Sequence, residues 1–153
     1  MPTPRPATRP TGAAPCPPET PPHPALTPTI LALAQFCATH AAAIDTQGAF
    51  PAEEFEQIRA AGLLAAPLAQ DLGGLGLGID SGMMPTVLFL LQRLGWGNLA
   101  VGRIYEGHVN ALQLVQTFGT PAQIEHYAAE ARDRHKIFGV WNAEAQDGVK
   151  LIP

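Results

Sequence analysis

The sequence predicts a mainly α-helical protein: a bundle of about five helices followed by one or two short strands near its C-terminal end. Apolar residues recur at intervals of three and four in several stretches between residues 29 and 136, as on the buried face of a helix. Residues that favour helix starts and ends flank these stretches. Hydrophobic residues make up 46% of the 153 residues, which is enough for one domain with a packed core.

Composition and charge exclude several classes of protein. The formal net charge is −4, whereas a dedicated nucleic-acid-binding domain needs a basic surface for phosphate contacts. Cys16 and Cys37 lack metal-ligand spacing, so we expect free thiols in a reducing compartment and no metal site. Because the chain has no run of about 18 apolar residues and no apolar signal segment, we expect no membrane span and a cytoplasmic location.

Proline dominates the N-terminal segment, residues 1–28, which contains eleven of the 16 prolines. Proline has no N–H donor and its ring clashes with the preceding turn, so this segment forms neither a helix interior nor a central strand. We expect a disordered, partly polyproline-like tail. The helical domain is expected to follow over residues 29–136.

Two helices are predicted after the tail. Thr27 is suited to cap the first helix, with a proline at the first helical position. The apolar face of this helix consists of Ile30, Leu33, Ala34, Cys37, Ala41 and Ile44. Pro51 begins the second, shorter helix and Gly62 ends it. Its paired acids Glu53 and Glu54 are expected on the surface of the first turn, where the helix dipole favours negative charge.

The stretch QDLGGLGLG, residues 70–78, places four glycines in nine positions. A dinucleotide-binding fingerprint needs G-x-G-x-x-G between a strand and a helix, and a P-loop needs Lys followed by Ser or Thr. The stretch fits neither pattern, and helices are predicted on both sides of it. We therefore expect tight turns, with the leucines packed into the core, rather than a phosphate-binding loop. These leucines are Leu72, Leu75 and Leu77.

Three more helices are predicted after this loop. The third starts near Asp80 or Met84 and ends at Gly95, with Val87, Leu88, Leu91 and Leu94 on its apolar face. Asn98 is suited to cap the fourth helix, and Thr120 to cap the fifth through a capping box. The apolar face of the fourth helix consists of Val101, Ile104, Tyr105, His108, Ala111, Leu112 and Val115.

The pattern changes at KIFGVWNAE, residues 136–144, where β-branched and aromatic residues predict a strand. A second strand is predicted to start within VKLIP, the last five residues. Two short strands without partners are marginally stable. We therefore expect residues 137–153 to be the start of a truncated middle β domain.

The order of these segments resembles the acyl-CoA dehydrogenase family. The resemblance rests on DLGGLGL after IRAAGLLAAPL, then on two helices, then on FGTPAQIEHY and FGVWNAE, and it covers residues 29–153. Family members carry GLLGLPLPEEYGGLGL in the first region and GTEEQK at the later helix. DLGGLGL and FGTPAQ, in this order and at this distance, are specific together although each is weak alone. The bundle thus resembles the N-terminal helical domain of that family.

The resemblance implies a part of an FAD-dependent oxidoreductase that desaturates an acyl-CoA thioester. In the family, the N-terminal domain helps to wall the acyl pocket, and FAD lies between the middle and C-terminal domains and a second subunit. A Glu of the C-terminal part removes the proton α to the carbonyl, and a hydride passes to the flavin. Residues matching that Glu and most FAD contacts are absent here. We therefore expect an isolated chain that is inactive and binds no FAD, with the missing domains or a homo-oligomer as partners.

The resemblance also assigns candidate site residues. Alignment with the family motif TEP.AGSD places Trp141, Asn142 and Ala143 beside the flavin, with Ala143 where a Thr usually bonds it. Tyr105 and His108 lie on the fourth predicted helix, which borders the substrate pocket in the family. Flavin monooxygenases that share the fold use a His there. Ordinary core packing is the alternative for both Trp141 and His108.

Two other functions remain open at this point. Ala143 lacks the hydroxyl that bonds the flavin in the family. One alternative is therefore that the chain is part of a divergent branch, such as the flavin monooxygenases. The other alternative is a non-catalytic helical module that binds a partner through its apolar helix faces.

Overall fold

Five α-helices make up most of residues 23–140, the part of the chain that the computed structural model describes. In chain order they are α1 (Thr27–Gln47), α2 (Ala52–Ala60), α3 (Met84–Gly97), α4 (Leu99–Phe118) and α5 (Pro121–Arg132). A short 3₁₀ helix, Gln70–Leu72, lies in the loop between α2 and α3. The predicted mainly helical fold class is confirmed.

The predicted tail and strands lie largely outside the described residues. Residues 137–140 carry no strand, and residues 141–153, which contain the rest of the predicted strand region, are not described. The division of the chain at residues 28 and 136 therefore stays a prediction.

The main core lies around α3, which packs against both α1 and α4. The core side chains with the least exposure come from α1, α2, α3, α4 and the α2–α3 loop, and include Cys37, Ile58, Leu63, Leu77, Leu90, Leu94, Val101 and Tyr105. A smaller cluster joins the loop to α4 and α5 through Leu68, Leu112, Ala128 and Ala131. The α2–α3 loop thus contributes side chains to both core clusters.

Two of the predicted helix caps are confirmed. The side chain of Asn98 accepts hydrogen bonds from the N–H groups of Ala100 and Val101 at 2.9 and 3.3 Å. Thr120 and Gln123 form the predicted capping box at the start of α5. Such caps are predictable because they depend on residues within one turn of each other.

Two predicted helix boundaries differ from the structure. Thr27 is the first residue of α1 rather than its cap, and its hydroxyl donates to the carbonyl of His23 at 2.8 Å because the chain already turns there. Helix α3 continues through Gly95 to Gly97. A Cβ atom on Gly97 would lie 2.3 Å from the carbonyl oxygen of Ala34, so close packing against α1 explains the glycine at this position.

For three side chains the predicted solvent exposure was wrong. Leu75 and Leu88 are 41% and 58% exposed, because Leu77 and the residues on either side of Leu88 occupy the core positions instead. Glu54, expected on the surface, is only 2% exposed. Its carboxylate lies 3.2 Å from Nδ1 of His40, because α2 packs against α1 and turns this side chain towards it.

Helix α1 meets the length and composition of a membrane-spanning helix, with 21 residues and a mean hydropathy of 1.2 over its best window. Core helices of globular proteins meet the same test, and α1 buries Ile30, Leu33, Ala34 and Cys37 within the bundle. The finding is therefore a weak indication of membrane insertion.

Candidate functional site

Tyr105 lies on the buried face of α4, and its side chain is 0% exposed. Its hydroxyl donates a hydrogen bond of 2.7 Å to the carbonyl of Leu63, in the turn that follows α2. Burial raises the pKa of Tyr105 well above its usual value, because the charged phenolate would lose its hydration. The phenol is therefore held neutral, with its proton directed at a backbone oxygen.

His108 lies one turn further along α4 and is also 0% exposed. Its Nε2 lies 2.8 Å from the carbonyl oxygen of Leu64, and the N–H of Phe138 lies 3.1 Å from its Nδ1. A carbonyl only accepts, so Nε2 carries the proton and Nδ1 is the acceptor. Burial lowers the pKa of His108, although the bond to Leu64 opposes this shift. The neutral ring thus has both nitrogens engaged.

An aromatic cluster contacts the ring of His108. The ring of Phe138 stacks on the imidazole with centroids 5.9 Å apart and an angle of 13°. The ring of Tyr127, from α5, meets Phe138 edge to face at 5.7 Å. The segment after α5 is therefore attached to α4 through His108.

The glycine loop, residues 70–78, is held in place by backbone hydrogen bonds within the α2–α3 loop. The N–H groups of Gly73, Gly74, Gly76 and Leu77 bond to the carbonyl oxygens of Gln70, Ala69, Leu68 and Ala66. A Cβ atom on Gly74 would lie 2.0 Å from the carbonyl oxygen of Leu68, so only glycine fits there. These four N–H groups have partners inside the loop, and the tight turn predicted in place of a phosphate-binding loop is confirmed.

Two glutamines of α4 fasten the loop to the bundle. The Nε2 of Gln116 donates to the carbonyl of Pro67 at 3.1 Å, and its Oε1 accepts from the N–H of Ala69 at 2.8 Å. The Nε2 of Gln113 donates to the carbonyl of Gly78 at 2.9 Å. The sequence analysis missed these residues, since an amide on a helix gives no signal of a partner more than 30 residues away.

A groove of about 370 Å³ runs along the outer face of α4. It is lined by Arg103, Glu106, Asn110, Gln113, Leu114, Thr117 and Val140. Arg103 and Asn110 both donate to the carboxylate of Glu106, so the polar floor of the groove is internally bonded. Tyr105 and His108 do not line this groove and lie in the bundle interior behind it. Val140 is the last described residue before Trp141, Asn142 and Ala143, which lie outside the described residues.

Between residues 23 and 140, no three His, Cys, Asp or Glu side chains are placed to hold a metal ion together. Cys37 is a buried free thiol. Burial raises the pKa of Cys37 to about 11, and the nearby carboxylate of Glu54 adds to this shift. The thiol is therefore a core group rather than a nucleophile.

Comparison with known proteins identifies the fold. Residues 30–133, more than half of the chain, match the family described as acyl-CoA dehydrogenase, N-terminal domain. Searches among curated proteins and among solved structures gave no match. The matched range begins in the first turn of α1 and ends after α5, so it contains the rest of α1, the other four helices, the glycine loop and both Tyr105 and His108. The chain therefore belongs to the acyl-CoA dehydrogenase family, of which it contains the N-terminal domain.

Proposed function

We propose that the chain is the N-terminal part of an FAD-dependent oxidoreductase that desaturates an acyl-CoA thioester, and that it walls the acyl pocket. The observation that carries this proposal is the family match over residues 30–133. The helical bundle supports it, because α3 packs against α1 and α4 around one main hydrophobic core. In this role the chain contributes a shaped surface, and the reacting groups belong to other domains.

Tyr105 and His108 support the pocket wall as positioning residues in this proposal. Their polar atoms are bonded to backbone groups of Leu63, Leu64 and Phe138, so they fix α4 rather than face a reacting atom. Fixing α4 also fixes its outer face, where the groove of about 370 Å³ lies. Binding sites gain affinity when the groups that shape them are held in place before the ligand arrives.

In this proposal FAD would be the hydride acceptor of the reaction. The residues of this chain that would contact FAD are not among the described residues. The glycine loop bonds its own N–H groups, so it offers the flavin phosphates no cradle. Trp141, Asn142 and Ala143 stay the proposed flavin-side residues of this chain. We accordingly propose that the isolated chain binds no FAD and has no activity, and that it acts with middle and C-terminal domains or as part of a homo-oligomer.

The interaction-module alternative also has a specific observation in its favour. Leu99 and Phe118, at opposite ends of α4, are 78% and 79% exposed. Exposed apolar side chains of this size fit contacts with another protein surface. The same contacts would join the helical domain to the rest of a flavoenzyme, so exposure alone does not separate the two functions. In the monooxygenase alternative a separate electron donor reduces the flavin, which passes the electrons to dioxygen, and dioxygen consumption that depends on such a donor separates it.

A domain exchange tests the proposal. Residues 27–140 would replace the helical N-terminal domain of an acyl-CoA dehydrogenase of known activity, and flavin absorbance would report assembly. We expect acyl-CoA to bleach the flavin of the chimera under anaerobic conditions, and not that of the same enzyme lacking an N-terminal domain. A chimera that retains a full complement of flavin but is not reduced by acyl-CoA would overturn the proposal and favour the interaction module.

A further inference from the structure

The segment after α5 is attached to the bundle at one well-defined polar contact. The backbone N–H of Phe138 donates to Nδ1 of His108 at 3.1 Å, and the two rings stack. The other polar contacts of this segment, from Arg134 and Lys136 to Glu130, return to α5 and do not reach α4. Among the described hydrogen bonds, His108 therefore provides the polar link between residues 137–140 and α4.

This contact requires a neutral imidazole. The Nε2 proton is already directed at the carbonyl of Leu64, so a second proton would have to be placed on Nδ1. Nδ1 would then be a donor facing the N–H of Phe138, which is also a donor. Both groups would lose their partner in a buried site, and a buried unpaired polar group is costly.

We propose that His108 is a pH-sensitive clasp, which holds residues 137–140 against α4 while its ring is neutral and releases them when Nδ1 is protonated. The clasp sets the direction in which the chain leaves the bundle towards residues 141–153. This inference stands on the hydrogen-bond geometry and is independent of the proposed function.

The other groups around His108 do not carry a competing charge change. Tyr105, on the same helix, and Tyr127, on α5, are the titratable groups whose rings contact His108 or Phe138. Tyrosines keep their proton at and below neutral pH. The turn at Leu63–Leu64 contributes backbone carbonyls only. Two ion pairs lie on the adjoining segments: Lys136 pairs with Glu130 at 3.5 Å, and Arg103 pairs with Glu106 on α4.

The direction of the pH effect follows from burial. The pKa of His108 in the closed clasp is below the ordinary value of 6.5, so the closed state binds the proton less well than the open state. The clasp is therefore fully stable above about pH 6.5 and weakens as the pH falls below that value, by at most about tenfold per unit. Below the pKa of the closed state no further weakening is expected.

Amide hydrogen exchange of the full chain, followed by NMR, tests the clasp. We expect the protection factor of the Phe138 amide to be lower at about pH 5.5 than at about pH 7.5, by at most about tenfold, after correction for intrinsic exchange. The amide of Gly102, bonded to the carbonyl of Asn98 within the core, serves as the reference and should keep its protection. Equal protection of Phe138 at the two pH values, or an equal loss at Gly102, would overturn the proposal.

Two variants test the roles of the two ring nitrogens of His108 separately. His108→Gln retains a donor for Leu64 but has no acceptor at the Nδ1 position, so its Phe138 amide should be unprotected at both pH values. His108→Asn places an amide oxygen near Nδ1, so protection should persist at both. A pH-dependent loss in His108→Asn as large as in the unmodified chain would contradict the clasp. If the variants do not fold, ring ¹⁵N shifts of the unmodified chain decide, since the Phe138 amide must titrate with the midpoint of His108.

Discussion

The hydroxyl of Tyr105 and the carbonyl of Leu63 are 2.7 Å apart although 42 residues separate them in the chain. One turn further along α4, His108 makes the equivalent contact with the carbonyl of Leu64. Two consecutive carbonyls of one turn are thus bonded by two side chains of one helix. This pairing fixes α4 on the turn after α2, and with it the glycine loop that follows.

Removing the hydroxyl of Tyr105 tests how much this contact contributes. Tyr105→Phe keeps the ring but leaves the Leu63 carbonyl without this donor, so the free energy of unfolding should fall by about 1–3 kcal/mol. Urea denaturation measures the change. Tyr127→Phe, at a ring that is 36% exposed, is the matched control and should change stability by less than about 0.5 kcal/mol. Equal effects of the two substitutions would show that the buried bond contributes nothing specific.

Two glycines at the crossing of α3 and α4 should respond in opposite directions to alanine. A Cβ atom on Gly102 would lie 2.7 Å from Cα of Gly95, whereas a Cβ atom on Gly95 would meet no atom within 4 Å. Gly102→Ala should therefore destabilise the bundle by about 1–3 kcal/mol through overpacking. Gly95→Ala should stabilise it by about 0.5–1 kcal/mol, because alanine favours the helix. The midpoints of thermal unfolding measure both, and a stabilising Gly102→Ala would contradict the close crossing.

The cap at Asn98 should be replaceable by another capping residue but not by alanine. Its side-chain oxygen accepts from the N–H of Ala100 at 2.9 Å, at the point where α3 ends and α4 begins. Asn98→Ala should cost about 1 kcal/mol of unfolding free energy, whereas Asn98→Ser should retain most of the stability. Chemical denaturation compares them. If the serine variant loses as much as the alanine variant, the contribution of Asn98 does not come from capping.

The buried thiol of Cys37 should make stability fall at alkaline pH. Its pKa is raised to about 11 from 9.0, so the folded state holds this proton more tightly than the unfolded state. The stabilising contribution is complete below about pH 9 and is lost as the pH rises towards about 11. The difference in urea midpoint between the unmodified chain and Cys37→Ala, measured across this range, isolates the thiol. A difference that does not change with pH would contradict the assigned pKa.

The sequence predicts best the features that depend on neighbouring residues. The caps at Asn98 and Thr120 and the buried face of α1 follow from residues within one or two turns, and the structure confirms them. The burial of Glu54 was missed because it depends on how α2 lies against α1, where His40 is its partner. Local pattern carries no information about such a crossing.

The candidate site was predictable only in part for the same reason. The spacing of Tyr105 and His108 placed them correctly on the inner face of α4. Their partners at Leu63 and Leu64 lie 42 and 44 residues away and follow only from the tertiary structure. The structure places both in the interior with backbone partners, and their assignment to the substrate pocket stays a proposal.

The acyl-chain preference of the domain-exchange enzyme tests most directly whether this domain walls the acyl pocket. The measurement is kcat/KM for acyl-CoA substrates of increasing chain length, in the chimera carrying residues 27–140 and in its parent. We expect the ratio between long and short substrates to change by about tenfold or more, because each methylene in an apolar pocket contributes about 1–3 kcal/mol. An active, flavin-loaded chimera with the same chain-length profile as its parent would contradict the account.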